Sequence, residues 1–150
     1  MSLDFSEIIL SIEEREHDRL LAMKDHDVSK PLSDGKWSRK EILGHLIDSA
    51  GNNHQRFVRA QLDDNLDFPE YAQSEWVETQ DYADESWTLL VDLWCAYNLH
   101  LAHIIDSIPP EKLDVVCRIG GGDPVRLEDL IAEYVKHLEH HLKQIDGSAE

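Results

Sequence analysis

The chain has 150 residues, the size of one ordinary domain, and its 41% hydrophobic content is too high for a disordered chain. Its 31 acidic residues against 14 basic ones give a formal charge of −17, and the balance stays negative even with all nine histidines protonated. Such a surface repels nucleic acid and anionic membranes, and two cysteines make no disulfide framework.

No apolar run approaches the roughly 20 residues that cross a bilayer. The first residues, Met1 to Glu7, carry neither the basic region nor the apolar core of a signal peptide. The expectation is a single domain over residues 1–150, cytoplasmic, with no nucleic-acid or membrane partner.

Four segments have helical periodicity. The first is expected from about Phe5 to Asp25, with Ile8, Ile9, Ile12 and Leu20 inward and Glu13 to Glu16 as a solvated face. Pro31 and Gly35 mark a loop. The second begins near Ser38, where Ser38 and Glu41 have the spacing of a capping box and Trp37 and Ile42 that of a hydrophobic staple. It is expected to run to about Gln61. Residues 65–83, rich in acids and aromatics, read as a long crossover, the kind of segment that is often functional.

The third helix is expected from a cap at Asp84 to just before Pro109, with Leu89, Leu90, Leu93, Trp94 and Leu101 on its buried face. Residues 115–119 suggest a short extended piece. Gly120-Gly121-Gly122 lacks the Lys-Ser or Lys-Thr of a phosphate loop and reads as a turn. The fourth helix is expected from about Arg126 to Ile145. The predicted fold is an all-α four-helix bundle with its long connection between the second and third helices.

The histidines are the chemical anomaly. His137 and His141 lie about 40° apart on a helical wheel, at the edge of and inside the apolar arc, whereas His140 faces solvent. Two imidazoles one turn apart can share a metal ion; they can equally be packed histidines bonded to neighbours. The residue after His137 is leucine, so the zincin motif is absent. A third ligand must come from another helix. His45 is the best candidate, beside a polar stripe of Ser49, Asn52 and Arg56. His100 and His103, spaced i, i+3, are the weaker alternative, and His54 reads as a satisfied core histidine. Asp48, Asn52, Asn53 and Arg56 are candidates to orient ligands or substrate. Tyr71 and Trp76 of the crossover are candidates to touch it. Glu133 and Gln144 flank the pair but their wheel positions look outward. Cys95 and Cys117 read as packing residues.

The segment Gly35-Lys-Trp-Ser-Arg-Lys-Glu-Ile-Leu-Gly-His45 and its continuation to Ala60 resemble the second-helix signature of the DinB-like (YfiT-like) metal-binding superfamily. Tyr134-Val-Lys-His137-Leu-Glu-His-His141 resembles its last-helix signature. The resemblance covers nearly the whole chain. It implies an up-down-down-up bundle and a divalent ion, nickel or zinc above all, held by three histidines that match His45, His137 and His141. It also implies a small-molecule substrate, with thiol-dependent transferases using low-molecular-weight thiols, and hydrolases, among the relatives. Homodimers are common in the family. A non-catalytic metal-binding or sensing module is the competing reading.

Overall fold

The computed structural model describes residues 4–147. Four long helices form the bundle: α1 (Phe5–Leu21), α3 (Arg39–Gln61), α5 (Trp87–Asp106) and α6 (Leu127–Asp146). Helix α5 packs on α1 and α3, and α6 closes the ring against α3 and α1. The path is up-down-down-up, and the two parallel helices α3 and α5 are joined by the long crossover. Trp94, Phe57, Leu43, Leu46, Leu90, Leu101, Ile131 and Leu138 fill the centre.

Local chemistry sets the helix ends. The Ser38 hydroxyl accepts from the Glu41 amide, and the Glu41 carboxylate accepts from the Ser38 amide, so the expected capping box starts α3. Helix α5 is capped by Ser86, not Asp84, because Asp84 belongs to a one-turn 3₁₀ segment, Tyr82–Asp84, that precedes it. Helix α1 stops at Leu21, four residues short of the expectation. A separate short helix, α2 (Asp25–Ser29), follows it, and turning the chain there seats Val28 in the core.

Two faces differ from the periodicity. Glu16 is 1% exposed and not part of a solvated face. Its carboxylate pairs with Arg19 and Arg15, and Arg19 also pairs with Asp146 at the end of α6. A paired carboxylate can be buried where a lone one cannot. Leu89 and Leu93 are 53% and 43% exposed. The buried arc of α5 centres on Leu90, Trp94 and Leu101, and Leu89 is one residue, about 100°, away from Leu90. By length and composition α5 could cross a membrane, but here its apolar arc is the middle of the core.

The crossover is more ordered than a bare loop. It holds strand β1 (Asn65–Phe68) and helix α4 (Gln73–Thr79). Strand β1 pairs in parallel with β2 (Val116–Ile119), Asn65 opposite Val116 and Phe68 opposite Ile119. Strand β2 pairs antiparallel with β3 (Val125–Arg126). The extended piece expected at 115–119 is therefore the middle strand of a small sheet, an addition to the all-α reading. The glycine run is the turn between β2 and β3, with Gly120 and Gly121 at φ +61° and +72°. That left-handed backbone costs a glycine little.

Candidate metal centre

Helices α3 and α6 bring His45, His137 and His141 together, and one nitrogen from each lies within 4.8 Å of the others. The His45 and His137 Nε2 atoms are 3.0 Å apart. The three rings meet edge to face, with centroids 4.5–4.9 Å apart. His45 is buried and the other two are half-buried. His140 is exposed, as its wheel position indicates.

The electrostatics keep all three neutral. Burial, and then the neighbouring His137 and His141, push His45 down to about 3. Burial, and then His141 and His140, push His137 down to about 4. His141 is lowered by burial, against the hydrogen bond to Gln144 that raises it. A neutral imidazole offers a lone pair, which is the form a metal needs.

Gln144 does not look outward as its wheel position suggests. Its Oε1 accepts from His141 Nδ1–H at 2.7 Å, which fixes the tautomer and leaves Nε2 to the trio. A wheel records only where the Cα points, and a glutamine three residues on can reach back along the helix. Glu133 is exposed but lines a cavity beside His137, so it too belongs to the neighbourhood of the site.

The donor set fits a divalent ion. His45 Nδ1 is buried without a hydrogen-bond partner, and the Nε2 atoms of His45 and His137 face each other. Two lone pairs cannot face each other this closely without a proton or a cation between them. Three imidazoles leave coordination positions for water or substrate.

The remaining candidates divide. Asp48 does not bond to the trio. Its Oδ1 accepts from Tyr82 Oη at 2.7 Å and Gln80 Nε2 at 2.8 Å, so it latches the crossover to α3. Burial raises its pKa against the effect of those bonds. Beside it, the Tyr82 ring lies on Gly44, where a Cβ would come within 2.2 Å of Tyr82 Cδ2. The room Gly44 leaves is therefore occupied by the crossover. Asn52 and Asn53 are buried and donate to the carbonyls of Asp48 and Ser49, one turn back.

Two cavities flank the trio. On the His137 side, a polar cavity of about 330 Å³ is lined by Ser49, Asn53, Arg56, Tyr71, Glu133 and Tyr134 among others. On the His141 side, a cavity of about 570 Å³ is lined by Leu32, Trp37, Ile42 and Gln144 together with Lys36 and the turn before it. Of the two crossover aromatics, Tyr71 lines the polar cavity, whereas Trp76 packs edge-on against Tyr71 and lines a separate shallow surface cleft. His54 bonds to Tyr97 Oη at 2.8 Å, which satisfies it, but it is half-buried and not in the core. His100 and His103 are exposed and take no part in the trio. Cys95 and Cys117 are free and buried.

Comparison with known proteins identifies the family and the fold. A protein of Halalkalibacterium halodurans, named as a provisional metal-dependent hydrolase, is 25% identical over 139 residues, covering 91% of this chain and 80% of its own length. A similarly named protein of Geobacillus thermodenitrificans is 28% identical over 126 residues, covering 82% and 70%. The solved structure of YfiT from Bacillus subtilis, described as having an unusual four-helix-bundle topology, superposes with a TM-score of 0.86 at 18% identity, covering 96% of this chain and 83% of that one. The family model of the DinB superfamily matches residues 13–145, and the chain belongs to that superfamily.

Proposed function

We propose that this chain is a metal-dependent enzyme acting on a small molecule, with nickel or zinc held by His45, His137 and His141. The observation that carries the reading is the convergence of three neutral imidazoles from two helices, with open space on both sides. When bound, a divalent ion there supplies Lewis acidity and favours the deprotonated form of a thiol or water brought to it. Gln144 orients His141, and Asn53 and Tyr71 present polar groups to a ligand in the cavity beside His137. Glu133, exposed and lining the same cavity, would pass a proton to solvent in this reading.

Transfer of a low-molecular-weight thiol to an acceptor ranks first. Two cavities of different character support it: a transfer needs two substrates, and hydrolysis needs one and water. Hydrolysis is the second reading, favoured by the names of the relatives. A cytoplasmic homodimer completes the proposal, and sedimentation tests that assembly.

The test of the metal centre is elemental mass spectrometry on untagged protein reconstituted with zinc or nickel. About one ion per chain is expected, lost in His45→Ala and in His137→Ala. A wild type that holds no ion after reconstitution overturns the reading. Thiol-transfer and ester or amide hydrolysis assays on the loaded protein then separate the two chemistries.

A further inference from the structure

Arg56 is out of place as a surface arginine. The chain has more than twice as many acids as bases, and Arg19, Arg39, Arg59 and Arg126 all bond to carboxylates, carbonyls or an amide. Among the described residues, the Arg56 guanidinium has no hydrogen-bond or ion-pair partner, and its Nε is fully buried. Its central carbon lies over the Phe68 ring, 5.6 Å from the centroid. That contact gives none of its N–H donors a hydrogen-bond acceptor. Leaving such donors unpaired in a half-buried site is costly, and a ligand that pairs them recovers the loss.

Arg56 lines the same cavity as His137, together with Ser49, Asn53 and Tyr71. Resting on the enzymatic reading above, we propose that Arg56 is the anchor for a carboxylate on the substrate, whose other end reaches the histidine trio. Arginine's planar fork matches a carboxylate with two parallel hydrogen bonds. Glu70 and Glu133 line the exposed part of the cavity and disfavour a doubly charged phosphate relative to a single carboxylate. The backbones of His45 and Arg56 are about 16 Å apart along α3. The substrate is therefore elongated, with its acid several bonds from its reacting end.

The probes are ω-mercaptooctanoate, the neutral ω-mercaptooctanol and thiol-free octanoate. Calorimetry on the zinc-loaded protein is expected to show the mercapto acid binding about tenfold or more tighter than the mercapto alcohol. Arg56→Met brings the acid down to the affinity of the alcohol, and Arg56→Lys, which keeps the charge but not the fork, restores part of the gap. In the wild type the Arg56 Nε–H nuclear resonance, assigned by its loss in Arg56→Lys, moves with either acid and not with the alcohol. Equal affinities for acid and alcohol overturn the anchor, as does an Arg56 resonance that ignores both acids at high concentration. In His137→Ala, octanoate still moves that resonance, so the anchor stands or falls separately from the metal centre.

Discussion

The histidine trio and the crossover beside it are held by different physics. The trio depends on two helices whose starts are set within a turn, by Ser38 with Glu41 on α3 and by Asp129 accepting from the Arg126 amide on α6. Helical spacing then places His137 beside His141, and the packing of α3 on α6 brings in His45. The crossover has one two-turn helix, α4, as local support, and α4 packs on α3. Otherwise the crossover is held by a parallel pairing of β1 with β2, some fifty residues on, by Tyr82 seated on Gly44, and by two hydrogen bonds to Asp48. The site therefore has a floor built by helix packing and a wall attached at a few long-range points. Changes to the floor should alter metal binding, and changes to the wall should alter stability and access.

The largest expected effect falls on the floor. His45→Ala and His137→Ala should abolish the zinc-dependent rise in Tm, which in the wild type corresponds to about 2.7 kcal/mol when free zinc is a hundred times Kd. A zinc shift that survives in both variants would place the ion elsewhere. The metal-free protein should show the same histidines in its acid response. Their folded-state pKa values, about 3 and about 4, lie below the 6.5 of an ordinary histidine, so the unfolded chain takes up protons first. Their neutral state costs no stability above pH 6.5. Stability should fall from about pH 6.5 towards pH 4, measured by urea unfolding of wild type against His137→Ala, with a shallower fall in the variant.

Gln144 offers a smaller change to the same floor. Removing its acceptor should weaken zinc affinity by roughly 10- to 100-fold. Gln144→Ala is the variant to titrate with a competing chelator, and Gln144→Glu, which keeps an oxygen at His141 Nδ1, should recover most of the loss. Equal affinities for wild type and Gln144→Ala would show that the His141 tautomer is fixed by other means.

The wall is tested at Gly44. Alanine there drives a Cβ into the Tyr82 ring and should cost about 1–3 kcal/mol, read by chemical denaturation. Protease sensitivity should rise within residues 65–86 while zinc affinity stays close to wild type. Tyr82→Ala combined with Gly44→Ala should cost less than the two changes summed, because the clash has then lost its partner. Additive costs would mean that the crossover does not rest on α3 as described.

The same contrast explains what the sequence disclosed. The capping box, the inward His137/His141 pair and the four long helices follow from short-range spacing and capping and are legible, whereas His45 as their partner rests on helix packing and on the family resemblance. The strand register is not legible, since Leu66 opposite Cys117 depends on chain 51 residues away. Glu16 reads as solvated because helical spacing does not show that Arg15 and Arg19 fold over its carboxylate, nor that Asp146, on another helix, holds Arg19 there. Nothing near Gly44 in the sequence announces that the Tyr82 ring fills the space beside it. Arg56 could be placed on the polar stripe, but its want of a partner is a fact of three dimensions.

The smallest effect belongs to Asp48, where the two regions meet. Asp48→Asn keeps an oxygen for Tyr82 and Gln80 and removes a buried charge, so at pH 7 stability should change by less than about 1 kcal/mol. The pH dependence is more telling than the size. Burial holds the Asp48 pKa above its ordinary value, so the folded chain binds this proton more tightly than the unfolded one does. Ionised Asp48 therefore costs stability above the raised folded pKa. That cost is relieved as pH falls through the folded value towards 3.8. Asparagine has no proton to take up, so acidification should favour wild type over Asp48→Asn, with the histidine contributions cancelling between them. Urea unfolding of both proteins at pH 7 and near pH 4.5 measures the difference. A difference that does not move with pH would mean that the Asp48 carboxylate is no harder to ionise in the fold than in the open chain, and that the latch is neutral in charge terms.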